Sequence, residues 1–199
     1  MTFFQGGSVP DLFSGTIDAD TILGGDGNDT LAGGAQGDFI DGEAGDDYLY
    51  SASVSPPYTL PDRDGLWTAP MLDNGNEADT INGGDGSDHI FAGYGDSVDG
   101  GADGAYGDYL YISFLGAPSG VTADFSFTTI SIGGGTITGI ENISWVQGSN
   151  EADTITIGTP SFSGFSEYTA VLGMGGDDQL TAGYYTGTMD GGDGDDIVD

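Results

Sequence analysis

The chain has 199 residues, of which 33 are acidic and one, Arg63, is basic, for a formal charge of −32. That balance excludes nucleic acid and anionic membrane surfaces as partners, because both require Lys or Arg to replace counterions. With 39 glycines, 37% hydrophobic residues and no cysteine, the chain has no disulfide or thiolate metal site, and without a counter-charge it cannot offset its ordering entropy and self-repulsion. The opening MTFFQGGSVPD lacks the basic and apolar regions of a signal peptide. No apolar run approaches the ~18 residues that span a bilayer, so membrane insertion is not expected.

The first elements are five nonapeptides without a gap: GGSVPDLFS, GTIDADTIL, GGDGNDTLA, GGAQGDFID and GEAGDDYLY, residues 6–50. Each opens on glycine. Each carries aspartate at its sixth place, namely Asp11, Asp20, Asp29, Asp38 and Asp47. Each carries a large apolar residue at its eighth: Phe13, Ile22, Leu31, Ile40 and Leu49. In such a block a six-residue turn alternates with a three-residue strand, whose eighth-place side chain points opposite to its neighbours. One turn and one short strand cannot fold alone, so the blocks are expected to stack into parallel strands around a narrow apolar core.

Residues 51–73 break the pattern with four prolines, Trp67 and the only arginine. They read as an ordered excursion, with Leu66, Trp67, Met71 and Leu72 to bury. The expected role is a cover for one face of the stack, and the alternative is a contact loop. The sequence DYLY precedes both interruptions, at 47–50 and 108–111. Tyr48, Tyr50, Tyr109 and Tyr111 then stand on the outward face, where aromatic pairs imply something packed over them.

A second array, 74–111, carries Asp79, Asp88, Asp96 and Asp108 at sixth-place positions, although its third block, AGYGDSVD, is one residue short. Residues 112–147 read as a β-strand linker, since VTADFSF and TTISI alternate and are rich in β-branched and aromatic residues. A third, less regular array, 148–199, carries Asp153, Asp178 and Asp196, with Gly187 in place of an acid in the block 182–190. Residues 157–172 read as a further excursion. The whole is expected to form one continuous solenoid rather than independent domains.

The chemistry follows from the spacing. Glycine lets a turn bring backbone carbonyls inward, and the sixth-place aspartate adds a carboxylate. Carbonyl and carboxylate oxygens together suit Ca²⁺, which takes roughly 6–8 oxygens, whereas Mg²⁺ demands near-octahedral geometry and keeps its waters. The expected ligands are the twelve sixth-place aspartates just named with the turn positions Gly24, Asp26, Gly27, Gly33, Gly42, Gly45, Asn76, Gly83, Asp85, Gly86, Asn150, Gly191, Asp193 and Gly194. A merely solvated acidic surface does not predict a fixed nine-residue phase, and no stretch has the EF-hand spacing.

These residues resemble the repeats-in-toxin family, whose unit is G-G-x-G-x-D-x-U-x. The match is close at 24–32, 83–91 and 191–199 and looser elsewhere; Ile17, Asp18 and Gln36 depart from it. The resemblance implies an all-β, right-handed parallel β-roll in which two nonapeptides make one turn and calcium ions lie between turns stacked on the same side. Asp11, Asp29 and Asp47 would form one column and Asp20 and Asp38 the other, with Asp79 facing Asp96 and Asp88 facing Asp108. It also implies bacterial type I secretion, with folding outside the cell where calcium is plentiful.

Enzymatic activity is not expected. His89 is the only histidine and reads as an outward-facing surface residue; there is no HExxH and no G-x-S-x-G elbow. Repeats run from Gly6 to Asp199 without a polar cap. Solenoids with open ends associate head to tail, so the expectation is a secreted calcium-binding protein that self-assembles into a filament or surface layer, with other surface or matrix components as further partners. The alternative is a folding, secretion or stalk module of a larger toxin, adhesin or hydrolase.

Overall fold

The computed structural model describes residues 1–53, 72–158, 169–183 and 187–199. Among them all regular structure is β-strand. The first array supplies β1 (Phe3–Gln5), β2 (Leu12–Ser14), β3 (Thr21–Asp26), β4 (Thr30–Gly34), β5 (Phe39–Ala44) and β6 (Tyr48–Ala52). The second supplies β7 (Thr80–Gly86), β8 (His89–Ala92), β9 (Ser97–Asp103) and β10 (Tyr109–Ser113). Then come β11 (Thr122–Asp124), β12 (Thr129–Ile132), β13 (Gly135–Thr138) and β14 (Asn142–Gln147). The last are β15 (Thr154–Ile157), β16 (Ala170–Leu172), β17 (Gln179–Ala182), β18 (Thr188–Asp190) and β19 (Ile197–Val198).

From β1 to β10 successive strands fall alternately into two opposed sheets, so that each pair of nonapeptides makes one turn of a parallel β-roll. One sheet runs β2-β4-β6-β8-β10-β14-β16-β18. The opposite side is two sheets, β1-β3-β5-β7-β9-β13-β12 and β11-β15-β17-β19. Every pairing is parallel except β12 with β13. Those two strands form a hairpin across Gly133 and Gly134, whose φ values of 65° and 98° suit the two-residue turn that matches strand twist.

The eighth-place residues build the core. Ile22, Leu31, Ile40, Leu49, Ile81, Ile90, Leu110, Ile155 and Leu180 are fully buried between the sheets. They stack directly on one another: Leu31 aligns with Leu49 and Ile40 with Ile81. Register therefore persists across the 51–73 segment. Within 112–147, β13 aligns with β9 and β14 with β10, so this segment contributes rungs to the stack as well as the hairpin. The expected excursions fall largely on residues 54–71 and 159–168, which lie outside the described residues, as do Arg63, Leu66, Trp67 and Met71.

Candidate metal columns

The turns place their sixth-place aspartates in vertical ladders. In the first ladder the amide of Asp11 donates to Oδ1 of Asp29 at 2.7 Å, Asp29 to Asp47 at 2.7 Å, Asp47 to Asp88 at 2.8 Å and Asp88 to Asp108 at 2.8 Å. In the second, Thr2 donates to Asp20, Asp20 to Asp38 at 2.7 Å, Asp38 to Asp79 at 2.6 Å and Asp79 to Asp96 at 2.9 Å. A third begins at Val121, which donates to Asp153 at 2.6 Å; Asp153 then donates to Asp178 at 2.7 Å and Asp178 to Asp196 at 2.9 Å. All twelve sixth-place aspartates belong to these ladders.

One oxygen of each carboxylate is thus used within the protein. The other is often not. Oδ2 of Asp29, Asp38, Asp47, Asp79, Asp88, Asp108 and Asp178 is buried without a hydrogen-bond partner. A buried, unpaired anionic oxygen is costly, and the chain has a single basic side chain to set against 33 acids. Among the described residues, the ion pairs are those of the Met1 amine with Asp18 and Asp20.

Except at Asp79, whose block opens on Asn74, the gap beside an orphaned oxygen is shaped by the first-place glycine. A Cβ built on Gly33 would stand 2.5 Å from Oδ2 of Asp38 and 2.6 Å from the carbonyl oxygen of Ser51, one turn further on. The same pair of oxygens, the block's own carboxylate and the next turn's carbonyl, converges on Gly24, Gly42, Gly83, Gly100, Gly148 and Gly173. Absence of a side chain therefore leaves a cradle walled by oxygens of both kinds. That donor set and the orphaned carboxylates fit a hard divalent cation such as Ca²⁺.

Burial raises the acids above their ordinary range: Asp38, Asp88 and Asp96 to about 6, Asp47 and Asp108 to about 7, and Asp79 to about 8. Neighbouring carboxylates push several of them further in the same direction.

The other expected site residues sit differently. Gly27, Gly45, Gly86 and Gly194 take the fourth turn position with φ between 126° and 152°, which only glycine adopts without strain. Gly191 faces Asp196 of its own block. Asp26, Asp85 and Asp193, like Asn76 and Asn150, are exposed, in contrast to the sixth-place acids, which are buried except for the half-buried Asp11 and Asp196 at the ends. The third-place carbonyl of Asp85 accepts from Gly45, so it belongs to the hydrogen-bond frame of the turns. Gln36, Glu43 and Met174 hold left-handed positions where the repeat has glycine, with φ of 72°, 69° and 77°.

Two acids missed at the level of sequence join the columns. Glu141 accepts from the Asp108 amide at 3.0 Å and so continues the first ladder. Its signal was an acid two places before Ile143, which aligns with Leu110; the turn before it lacks the nonapeptide spacing. Burial, with Asp103 beside it, raises Glu141 to about 7. Asp73, from outside the repeats, is buried near Asp79 and Asp96.

His89 is half-buried rather than freely exposed. It does lie on the outer face, but its ring is stacked between Tyr48 and Tyr109, with centroids 4.7 Å from each. Burial lowers it to about 4, so it is neutral. Beside it Phe91 stacks between Tyr50 and Tyr111 at 4.4 Å. Tyr50, Phe91, Tyr109, Tyr111 and Trp145 are buried, and Leu72 packs with them.

Among known families, the RTX calcium-binding nonapeptide repeat (4 copies) matches residues 5–40, 23–53 and 73–104. No curated protein matches the chain.

Proposed function

We propose a secreted, non-enzymatic protein that folds on binding several calcium ions and then stacks head to tail into an extracellular filament or surface layer; the reading rests on the match of residues 5–53 and 73–104 to the RTX calcium-binding nonapeptide repeat and on the all-β parallel roll. Such repeats bind Ca²⁺ at multiple sites. The observation that carries the folding part is the set of seven buried Oδ2 atoms without partners. Deprotonated and unneutralised, they make the roll unstable; with calcium between turns, binding free energy becomes folding free energy. A chain that stays unfolded where calcium is scarce suits export by a type I route and folding outside a bacterial cell.

Stacking is supported by the two ends of the roll. β1 and β2 at one end, and β18 and β19 at the other, each pair on one side only among the described residues. Phe3 and Leu12 are exposed on the first end, Ile197 and Val198 on the second. Open parallel edges accept further strands, and two unlike ends that fit one another generate an open assembly. The same edges would also receive further turns of a longer chain, which is the reading as a folding or stalk module of a toxin, adhesin or hydrolase.

Electron microscopy with millimolar Ca²⁺ and with excess chelator tests the proposal, with far-UV circular dichroism beside it. Calcium-dependent fibres that Asp196→Asn abolishes are the expected result. Monodisperse particles that gain β-structure with calcium would support the module instead, and no response to calcium would remove both.

A further inference from the structure

The second ladder contains a group of acids that the nonapeptide does not make. Asp73, Asp79 and Asp96 each offer a carboxylate oxygen, and these oxygens all lie within 4.8 Å of one another. All three residues are buried, with 5%, 2% and 3% of their surface exposed. Among the described residues one other group of three, Asp103, Asp108 and Glu141, lies at the end of the first ladder, whereas an ordinary gap is flanked by two successive sixth-place acids. In the second ladder a third arrives from the segment just before the second array.

The local chain explains how it fits. The turn after β8 is one residue short, and its acid, Asp96, accepts from the amide three residues back, Gly93, at 2.7 Å. In full-length turns the corresponding donor is four residues back, as Gly7 is for Asp11 and Ser149 for Asp153. A Cβ on Gly93 would stand 2.8 Å from Oδ2 of Asp73 and 2.9 Å from its Cγ, so only glycine admits Asp73 to this place. Asp73 is held there by the Gly75 amide, 2.7 Å from Oδ1, and by the Ser51 hydroxyl, 3.4 Å from Oδ2. Neither is a cation.

A cluster of acids alone does not make a site. The independent observation is Oδ2 of Asp79, which is buried with no hydrogen-bond partner although its residue is 98% enclosed. Three carboxylates this close repel one another strongly at low dielectric, and a buried anion without a counter-charge is not sustained.

We propose that Asp73, Asp79 and Asp96 together bind one calcium ion, in a site tighter than those between ordinary repeats, that fastens the chain re-entering after residue 71 to the roll. The proposal rests on the reading of the ladders as calcium ligands. Ligand charge count tunes calcium affinity, so three carboxylates hold the ion more tightly than two. The enclosure favours Ca²⁺ over Mg²⁺, which keeps its waters. A site of this kind clamps the segment between β6 and β7 at its exit, while the repeats bind it at its entry.

The test is calcium titration of the whole chain by calorimetry with chelator competition, on the wild type and on Asp73→Asn. The variant keeps the shape of the side chain and its acceptor for Gly75. Expected are the loss of the tightest class of site, with a weakening of about tenfold or more at that site, and an unchanged calcium midpoint for the repeats. Equal ion counts and equal tightest affinity in the two proteins would overturn the proposal while leaving calcium-driven folding intact. A wild type that binds no calcium would overturn both. Should the variant not fold, a wild-type crystal grown in Ca²⁺ decides: anomalous density touching Asp73, Asp79 and Asp96 supports the site, and ions along the ladders with none touching Asp73 reject it.

Discussion

The amide of Asp47 donates to Oδ1 of Asp88, 41 residues later in sequence, at 2.8 Å. The equivalent bond from Asp29 to Asp47 spans 18 residues and measures 2.7 Å. The difference is the 23 residues of segment 51–73. An insertion of that size has been accommodated without a slip, because one residue of slip would turn every eighth-place side chain out of the core.

Interior ladder positions should therefore be more sensitive than rim acids. Asp47→Asn keeps the Oδ1 acceptor but replaces the orphaned oxygen with an amide. It is expected to raise the calcium concentration for half-folding by roughly fivefold, since it weakens a carboxylate in a charge-tuned site. Asp26→Asn, at an exposed residue, should change stability by no more than about 0.5 kcal/mol. Calcium titrations followed by circular dichroism compare the two.

Acid should partly replace calcium. The carboxyls of Asp38, Asp47, Asp79, Asp88, Asp96 and Asp108 are raised from 3.8 to between about 6 and about 8. A raised folded-state value means that the folded form holds protons the unfolded chain has released. This stabilising contribution is complete below about pH 4 and is lost as pH rises through about 8. In chelator, β-structure should appear on acidification from pH 8 to pH 5 and disappear on return. With calcium present, apparent affinity should fall as pH falls through the same window, because protons and the ion compete for one set of oxygens. A pH series of circular dichroism spectra with and without chelator measures both.

The cradles should not tolerate a methyl group. Gly33→Ala places one 2.5 Å from the Asp38 carboxylate oxygen, where an ion and its ligands must meet. Loss of about one ion from the calorimetric stoichiometry is expected, with a higher calcium requirement for folding. Gln36 offers the opposite change. It is exposed and left-handed, with φ of 72°, and Gln36→Gly should stabilise the calcium-bound roll by roughly 0.5–1 kcal/mol, the relief of backbone strain less the added freedom of the unfolded chain. Thermal unfolding in calcium reads this.

His89 should behave as part of an aromatic stack. Nuclear magnetic resonance should show it neutral down to about pH 4. Since its folded value is lowered, its contribution to stability is present above pH 6.5 and is lost as pH falls toward 4, opposite in sign to that of the carboxylates. His89→Ala removes two ring contacts and should cost about 1–3 kcal/mol, whereas His89→Phe should retain the stack and abolish this part of the pH dependence.

A nine-residue phase of glycine, acid and hydrophobe was enough to specify the parallel roll, the eighth-place core and the twelve sixth-place acids of the ladders. The reason is that each unit contacts its neighbours at a constant spacing, so local pattern and long-range contact carry the same information. Glu141, Asp73 and the enclosure of His89 were decided only by the tertiary structure. Glu141 and Asp73 enter the columns from segments without the period, and their place depends on where the chain returns to the roll. His89 occupies an outward position that pattern alone places at the surface; it is half-buried because Tyr48 and Tyr109 fall directly above and below it when the turns stack.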